Sequence, residues 1–113
     1  MNRLNRNLIL ECLKELSDRD LQEDLWMGRI PSQQSSFVEA IEKLFTDSGL
    51  GHALSKGETG YSKEAESILR ELEQQLARVH AKGGPARVMD DPFMPRVREL
   101  AAQALESLKH DDK

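Results

Sequence analysis

The sequence predicts an all-α protein, a compact bundle of about five helices joined by short connections. Three observations carry this expectation. Apolar residues recur at spacings of three and four along most of the chain, which places them on one side of a helix. No segment alternates apolar and polar residues over the length of a strand. The breaks between the apolar stripes fall at Ser, Asp, Gly and Pro, which cap helices or stop them. The 113 residues make one domain, 1–113, with a frayed tail at 110–113 and no room for a second core.

The first helix is expected from Arg3 to Leu16, with Leu4, Leu8, Cys12, Leu13 and Leu16 as its inner stripe. Ser17 to Asp20 then form a break and a new start, since Ser17 or Asp18 can cap and acidic residues suit a first turn. The second helix runs to about Met27 with Leu21 and Leu25 inward, and Gly28 ends it. Ile30-Pro31 holds an extended turn, because the residue before proline avoids the helical region. Ser36 and Glu39 are spaced as a capping box, and Phe37, Ile41, Leu44 and Phe45 share one face of the helix that follows. Asp47-Ser48-Gly49 closes that helix, and a short extra turn over Leu50 to Leu54 precedes the loop of Gly57 and Gly60. Ser62 caps the fourth helix, whose stripe is Ala65, Ile68, Leu69, Leu72, Leu76 and Val79 and whose stop is Gly83-Gly84-Pro85. Ala86 to Asp90 is a loop. Asp91-Pro92 then starts the last helix, which carries Phe93, Val97, Leu100, Ala101, Ala104, Leu105 and Leu108 on one face.

Composition narrows the function. The net charge is −4, the charged fraction is 32% and the mean hydropathy is −0.61. Nucleic-acid binding draws on Lys and Arg neutralising phosphates, so a mildly acidic chain with one Trp and one Tyr is a poor candidate for it. An acidic surface is better matched to a basic protein partner. The apolar run Leu8-Ile9-Leu10 is broken by Glu11, Lys14 and Glu15, too early for a signal peptide, and no run reaches the ~20 residues of a membrane span. The lone Cys12 cannot form an internal disulfide, which fits a reducing compartment. These features lead to the expectation of a cytoplasmic protein without membrane or nucleic-acid partners, and the compact, linker-free build to that of a bacterial one.

No motif carries chemistry. Asp47 and Glu58 bracket a span of EF-hand length, but Gly49, Gly51 and His52 stand where oxygen ligands and the turn glycine belong. The span is expected to be a flexible glycine-rich link. Gly49-Leu50-Gly51 and Gly57-Glu58-Thr59-Gly60 follow no strand and lack the lysine and hydroxyl of a phosphate loop. His52, His80 and His110 stand in three segments without a second ligand at helical spacing, so no metal or cofactor is expected. Cys12 lies in an apolar stripe, where it serves as a small hydrophobe. Arg78, His80, Lys82 and Arg87 form the only locally basic stretch and are read as cations at a helix C-terminus.

The run Leu25-Trp26-Met27-Gly28, then Ser36-Phe37-Val38-Glu39-Ala40, then Leu44-Phe45-Thr46-Asp47-Ser48-Gly49-Leu50, resembles short bacterial helical proteins of unknown activity. Those proteins share a tryptophan–glycine turn, an SFxEA helix start and an LFxDSGL helix end. The resemblance covers about the first half of the chain and implies an all-helical fold. In build rather than in motif, the chain is also similar to bacterial immunity proteins, which neutralise a cognate toxin domain.

The expected function is therefore a non-catalytic protein-binding module, with toxin neutralisation as its most concrete form. Asp18, Asp20, Glu23 and Asp24 crowd the second helix beside Trp26. These five residues form the expected partner interface: carboxylates covering a basic surface, with an aromatic anchor at the desolvated centre. For Trp26 a buried structural wedge is the default reading, and an exposed anchor is the alternative. The alternatives are a structural or regulatory homodimer and a small-ligand binder.

Overall fold

The computed structural model describes residues 4–28 and 35–111, apart from the side chains of residues 110 and 111. The described residues form seven α-helices and one π-helical turn, and no strand. The helices are α1 (Arg6–Ser17), α2 (Arg19–Trp26), α3 (Phe37–Glu42), α4 (Leu50–Lys56), α5 (Lys63–Leu76), α6 (Pro85–Met89) and α7 (Met94–Asp111); the π turn is Lys43–Asp47. The expected count of about five omitted α6 and reduced α4 to a single turn. The expected turn at Ile30-Pro31 and the last two residues of the expected frayed tail lie outside the described residues, while α7 continues helical through Asp111.

The centre is a layer of three long helices. α7 packs against both α1 and α5. Met94, Val97, Leu100, Ala101, Ala104 and Leu108 of α7 are fully buried, as are Ile9, Leu13 and Leu16 of α1 and Ala65, Leu69 and Leu72 of α5. Small residues at 101 and 104 let the helix surfaces approach while leucines fill the space on either side. The Cα radius of gyration is 13.6 Å, which matches the roughly 13 Å of a compact chain of this length.

The helix starts follow the expected chemistry. Asn5 Oδ1 accepts from Leu8 N at 3.1 Å, Asp18 Oδ1 from Leu21 N at 3.2 Å, Ser36 Oγ from Glu39 N at 3.1 Å, and Ser62 Oγ from Ala65 N at 3.1 Å. Each satisfies an amide that has no partner within its helix. The first helix starts at Arg6 behind the Asn5 cap, and the expected start at Arg3 lies outside the described residues.

The LFxDSGL segment has a structural meaning. Ser48 Oγ donates to Leu44 O and accepts from Leu50 N at 3.1 Å, so one hydroxyl joins the π turn to α4. Gly49 has φ +84°, a left-handed conformation that lets α4 start at once in a new direction. The span expected to be a flexible link is therefore mostly helix. Arg70 Nη2 donates to Leu54 O at 2.8 Å and closes the last turn of α4.

Two helix ends differ from expectation. α5 stops at Leu76, well before Gly83. The bonds Arg78 N to Gln75 O and Val79 N to Leu76 O tighten the end, and His80 N donates to Asp91 Oδ2 at 2.9 Å instead of continuing the helix. A carboxylate distant in sequence thus captures the amide and turns the chain away. The expected loop at Ala86–Asp90 contains α6, where Pro85 occupies the first position and Val88 and Met89 are buried.

α2 also presents a different face. Its buried residues are Gln22 and Trp26, while Leu21 and Leu25 are half-buried. Gln22 Nε2 donates to Glu15 O at 3.1 Å and to Leu16 O at 2.8 Å, the carbonyls left open where α1 ends. Gln22 Oε1 accepts from Arg98 Nε at 3.0 Å, and Arg98 Nη2 donates to Met89 O at 3.1 Å. One buried amide therefore ties α1, α2, α7 and α6 together. Burial and the nearby Arg19 guanidinium lower the Arg98 pKa, opposed by Asp90 and Glu23.

Candidate functional site

The packing of α2 decides which of its residues meet solvent. Trp26 is 5% exposed; its Nε1 donates to Glu15 Oε2 at 2.7 Å, and its ring meets Phe37 edge-on with centroids 5.8 Å apart. Glu15 Oε2 also accepts from Ser35 Oγ at 2.9 Å. Trp26 is thus a wedge between α1, α2 and α3, and it offers no exposed aromatic anchor. Of the two roles the sequence left to that residue, its burial fits the structural wedge: burying the indole is favourable because its one polar atom finds a carboxylate.

The carboxylates turn the other way. Asp18 and Asp20 are exposed, and Glu23 and Asp24 are half-buried. Asp20, Glu23, Asp24 and Met27 fall at i, i+3, i+4 and i+7 and share the face opposite Gln22 and Trp26. Met27 is 48% exposed and, with Val38, is one of two large exposed hydrophobic residues among those described. Arg19 Nε lies 3.6 Å from Glu23 Oε1, and Arg19 Nη2 lies 3.6 Å from Asp90 Oδ1. The acidic edge of α2 is therefore continuous with α6 across a shallow cleft of about 220 Å³ lined by Arg19, Glu23, Met27, Ala86, Met89 and Asp90.

A larger groove, of about 620 Å³, adjoins this cleft and shares Ala86 and Asp90 with it. Its walls are His80, Lys82, Ala86, Arg87, Asp90, Asp91, Pro92 and Phe93. Asp91 is 7% exposed; its two carboxylate oxygens accept from His80 N and Phe93 N, both at 2.9 Å. Burial works to raise its pKa, but the two amide hydrogen bonds and the nearby His80 outweigh it and hold the carboxyl below the usual aspartate range. The His80 side chain is 88% exposed, with Nδ1 4.0 Å from Asp91 Oδ2. Of the basic stretch noted in the sequence, His80, Lys82 and Arg87 thus line a groove, while Arg78 follows the C-cap of α5 and Arg87 stands in the last turn of α6, as expected of cations at helix ends. The signal was present in the Arg78–Arg87 spacing, but its geometry depended on the early stop of α5 and on α6.

The remaining reactive side chains stand apart. Cys12 is buried in α1, and desolvation with the nearby carboxylate of Glu15 raises its thiol pKa to about 11, so it is a poor nucleophile at neutral pH. His52 is exposed on α4, and the side chain of His110 lies outside the described residues. Among the described residues, no group of three or more His, Cys, Asp or Glu is placed to hold a metal ion, and no helix is long and apolar enough to cross a membrane.

Comparison with protein-family models, with curated proteins and with solved structures finds no match for this chain. The functional reading therefore rests on its own residues.

Proposed function

We propose that the protein is a non-catalytic protein-binding module whose contact surface is the outer face of α2. Its most concrete form is an immunity protein of the bacterial cytoplasm that covers the basic, substrate-binding surface of a cognate toxin domain. The observation that carries this reading is the stripe Asp20, Glu23, Asp24 and Met27, three carboxylates around one half-exposed thioether on a single helix face. Carboxylates steer a basic partner into place, and an adaptable apolar side chain supplies a point that can be desolvated. Met27 takes the anchoring role that the sequence suggested for Trp26, which supports the face from beneath. Asp18 adds charge at one end while its Oδ1 caps the helix.

The test has two stages. Tagged protein first captures partners from its native organism, and the partner recovered in stoichiometric amount is purified. Its affinity is then measured for the wild type and for a variant carrying Asp18→Asn, Asp20→Lys and Asp24→Lys. Asparagine keeps the capping oxygen, so the variant changes charge without removing the cap. The expected result is a loss of affinity of at least about tenfold, largest at low salt and expressed mainly in the association rate. An unchanged affinity would remove α2 from the interface. Recovery of only untagged copies of the same chain would favour the homodimer instead.

A further inference from the structure

We propose that the groove lined by His80, Lys82, Arg87 and Phe93 binds a small molecule bearing a phosphate group. It is a separate site from the α2 face and does not depend on the protein-binding reading.

The volume of about 620 Å³ falls within the roughly 300–1,000 Å³ of ligand pockets. Three cationic or protonatable groups of different shape converge on it: a planar fork at Arg87, a point charge at Lys82 and an exposed imidazole at His80. Among the described residues, neither Lys82 nor Arg87 takes part in an ion pair. The two carboxylates of the groove each have another partner. Asp91 directs its oxygens at two backbone amides, and Asp90, which borders both this groove and the cleft beside α2, lies 3.6 Å from Arg19. Lys82 and Arg87 thus border the groove without an ion-pair partner among the described residues, which leaves both able to meet an anion.

The Arg87 side chain lies against the Gly83 backbone. Gly83 has φ +107°, and a Cβ there would lie 2.6 Å from Arg87 Cδ. A side chain at position 83 would displace the arginine from the loop it lies against. Asp91 in turn sets the backbone of His80 through the amide it accepts. Pro92, Phe93 and Ala86 supply an apolar wall beside the charges, and the Arg78 guanidinium carbon stands 5.9 Å from the Phe93 ring centre. A phosphate at the basic rim would leave the rest of its molecule against this wall. A long polyanion is disfavoured, because the chain is acidic overall and the α2 carboxylates lie just across α6.

The experiment is a titration of the isotope-labelled full chain by two-dimensional NMR, with inorganic phosphate and with adenosine monophosphate, against sodium chloride at matched ionic strength. The expected result is saturable shifts confined to residues 80–93, with a dissociation constant on the order of 1 mM for phosphate and tighter for the nucleotide. Lys82→Gln with Arg87→Gln weakens binding at least about tenfold, whereas Lys56→Gln with Lys63→Gln, at exposed cations outside the groove, leaves it unchanged. All four positions are exposed, and a circular-dichroism melt confirms that both variants fold. Linear, unsaturated shifts with both probes, or equal losses from the two variants, would overturn the proposal. So would an acidic peptide that saturates the groove when neither phosphate probe does.

Discussion

Along α7, six residues from Met94 to Leu108 are fully buried between α1 and α5, whereas α2 buries one glutamine and one tryptophan and leaves its leucines half out. The two regions are held by different forces. A helix of 18 residues repeats its stripe over five turns, and each fully buried leucine contributes about 1.5–3 kcal/mol. Helices of eight and five residues, as in α2 and α6, cannot bury enough apolar surface to fix their own position. Beside the buried Trp26, Val88 and Met89, their place depends on polar links through Gln22, Arg98 and the open carbonyls of α1 and α6, each worth about 0.5–1.5 kcal/mol net. The corner that carries both candidate surfaces is therefore expected to open more readily than the central layer.

The largest effect is expected in the central layer. Leu100→Ala removes a fully buried side chain of α7 and should cost about 2–5 kcal/mol in urea unfolding. A cost below about 1 kcal/mol would mean that the layer relaxes around the cavity and is not the rigid half of the molecule.

Gln22→Leu sharpens the contrast from the other side. It leaves the Glu15 and Leu16 carbonyls and the Arg98 Nε without their partner and should cost about 1–3 kcal/mol. Hydrogen exchange should rise in α2 and α6 while the α7 amides keep most of their relative protection. An equal loss throughout α7 would show that the corner and the layer unfold as one unit.

Asp91 tests the joint between the two regions. Because its folded pKa lies below the ordinary value of 3.8, its contribution is present in full above that value and is lost as pH falls through the folded pKa. Asp91→Ala should cost about 0.5–2 kcal/mol at neutral pH and flatten the acid limb of the stability profile. If wild type and variant lose stability in parallel as the solution is acidified, the amide hydrogen bonds do not control the 80–93 segment.

The smallest effect is expected on the acidic face. Asp20→Lys should change stability by no more than about 0.5 kcal/mol, because the residue is exposed. A larger loss would assign Asp20 a structural role and weaken its case as a contact residue.

The helix class, most of the buried stripe positions and the caps at Asp18, Ser36 and Ser62 were legible in the chain itself, because periodicity and capping act over a few neighbouring residues. Gln22 was not legible: a glutamine between Leu21 and Glu23 reads as surface until the end of α1 is brought beside it. The early end of α5 was hidden for the same reason, since the carboxylate that takes the His80 amide lies in the segment leading into α7. Of the expected interface, the exposure of Asp18 and Asp20 followed from their charge, whereas the burial of Trp26 required Glu15 and Phe37 to converge on it.

By itself, then, the sequence determined an all-helical chain with long apolar stripes, an acidic second helix and a basic stretch around residues 78–87. Tertiary structure alone decided that the acidic stripe faces outward with Met27 at its end, and that the basic residues border a groove. The division has one physical cause. Local order comes from spacing along the backbone, which a linear string records, whereas a surface or a groove comes from contacts between segments far apart in the chain.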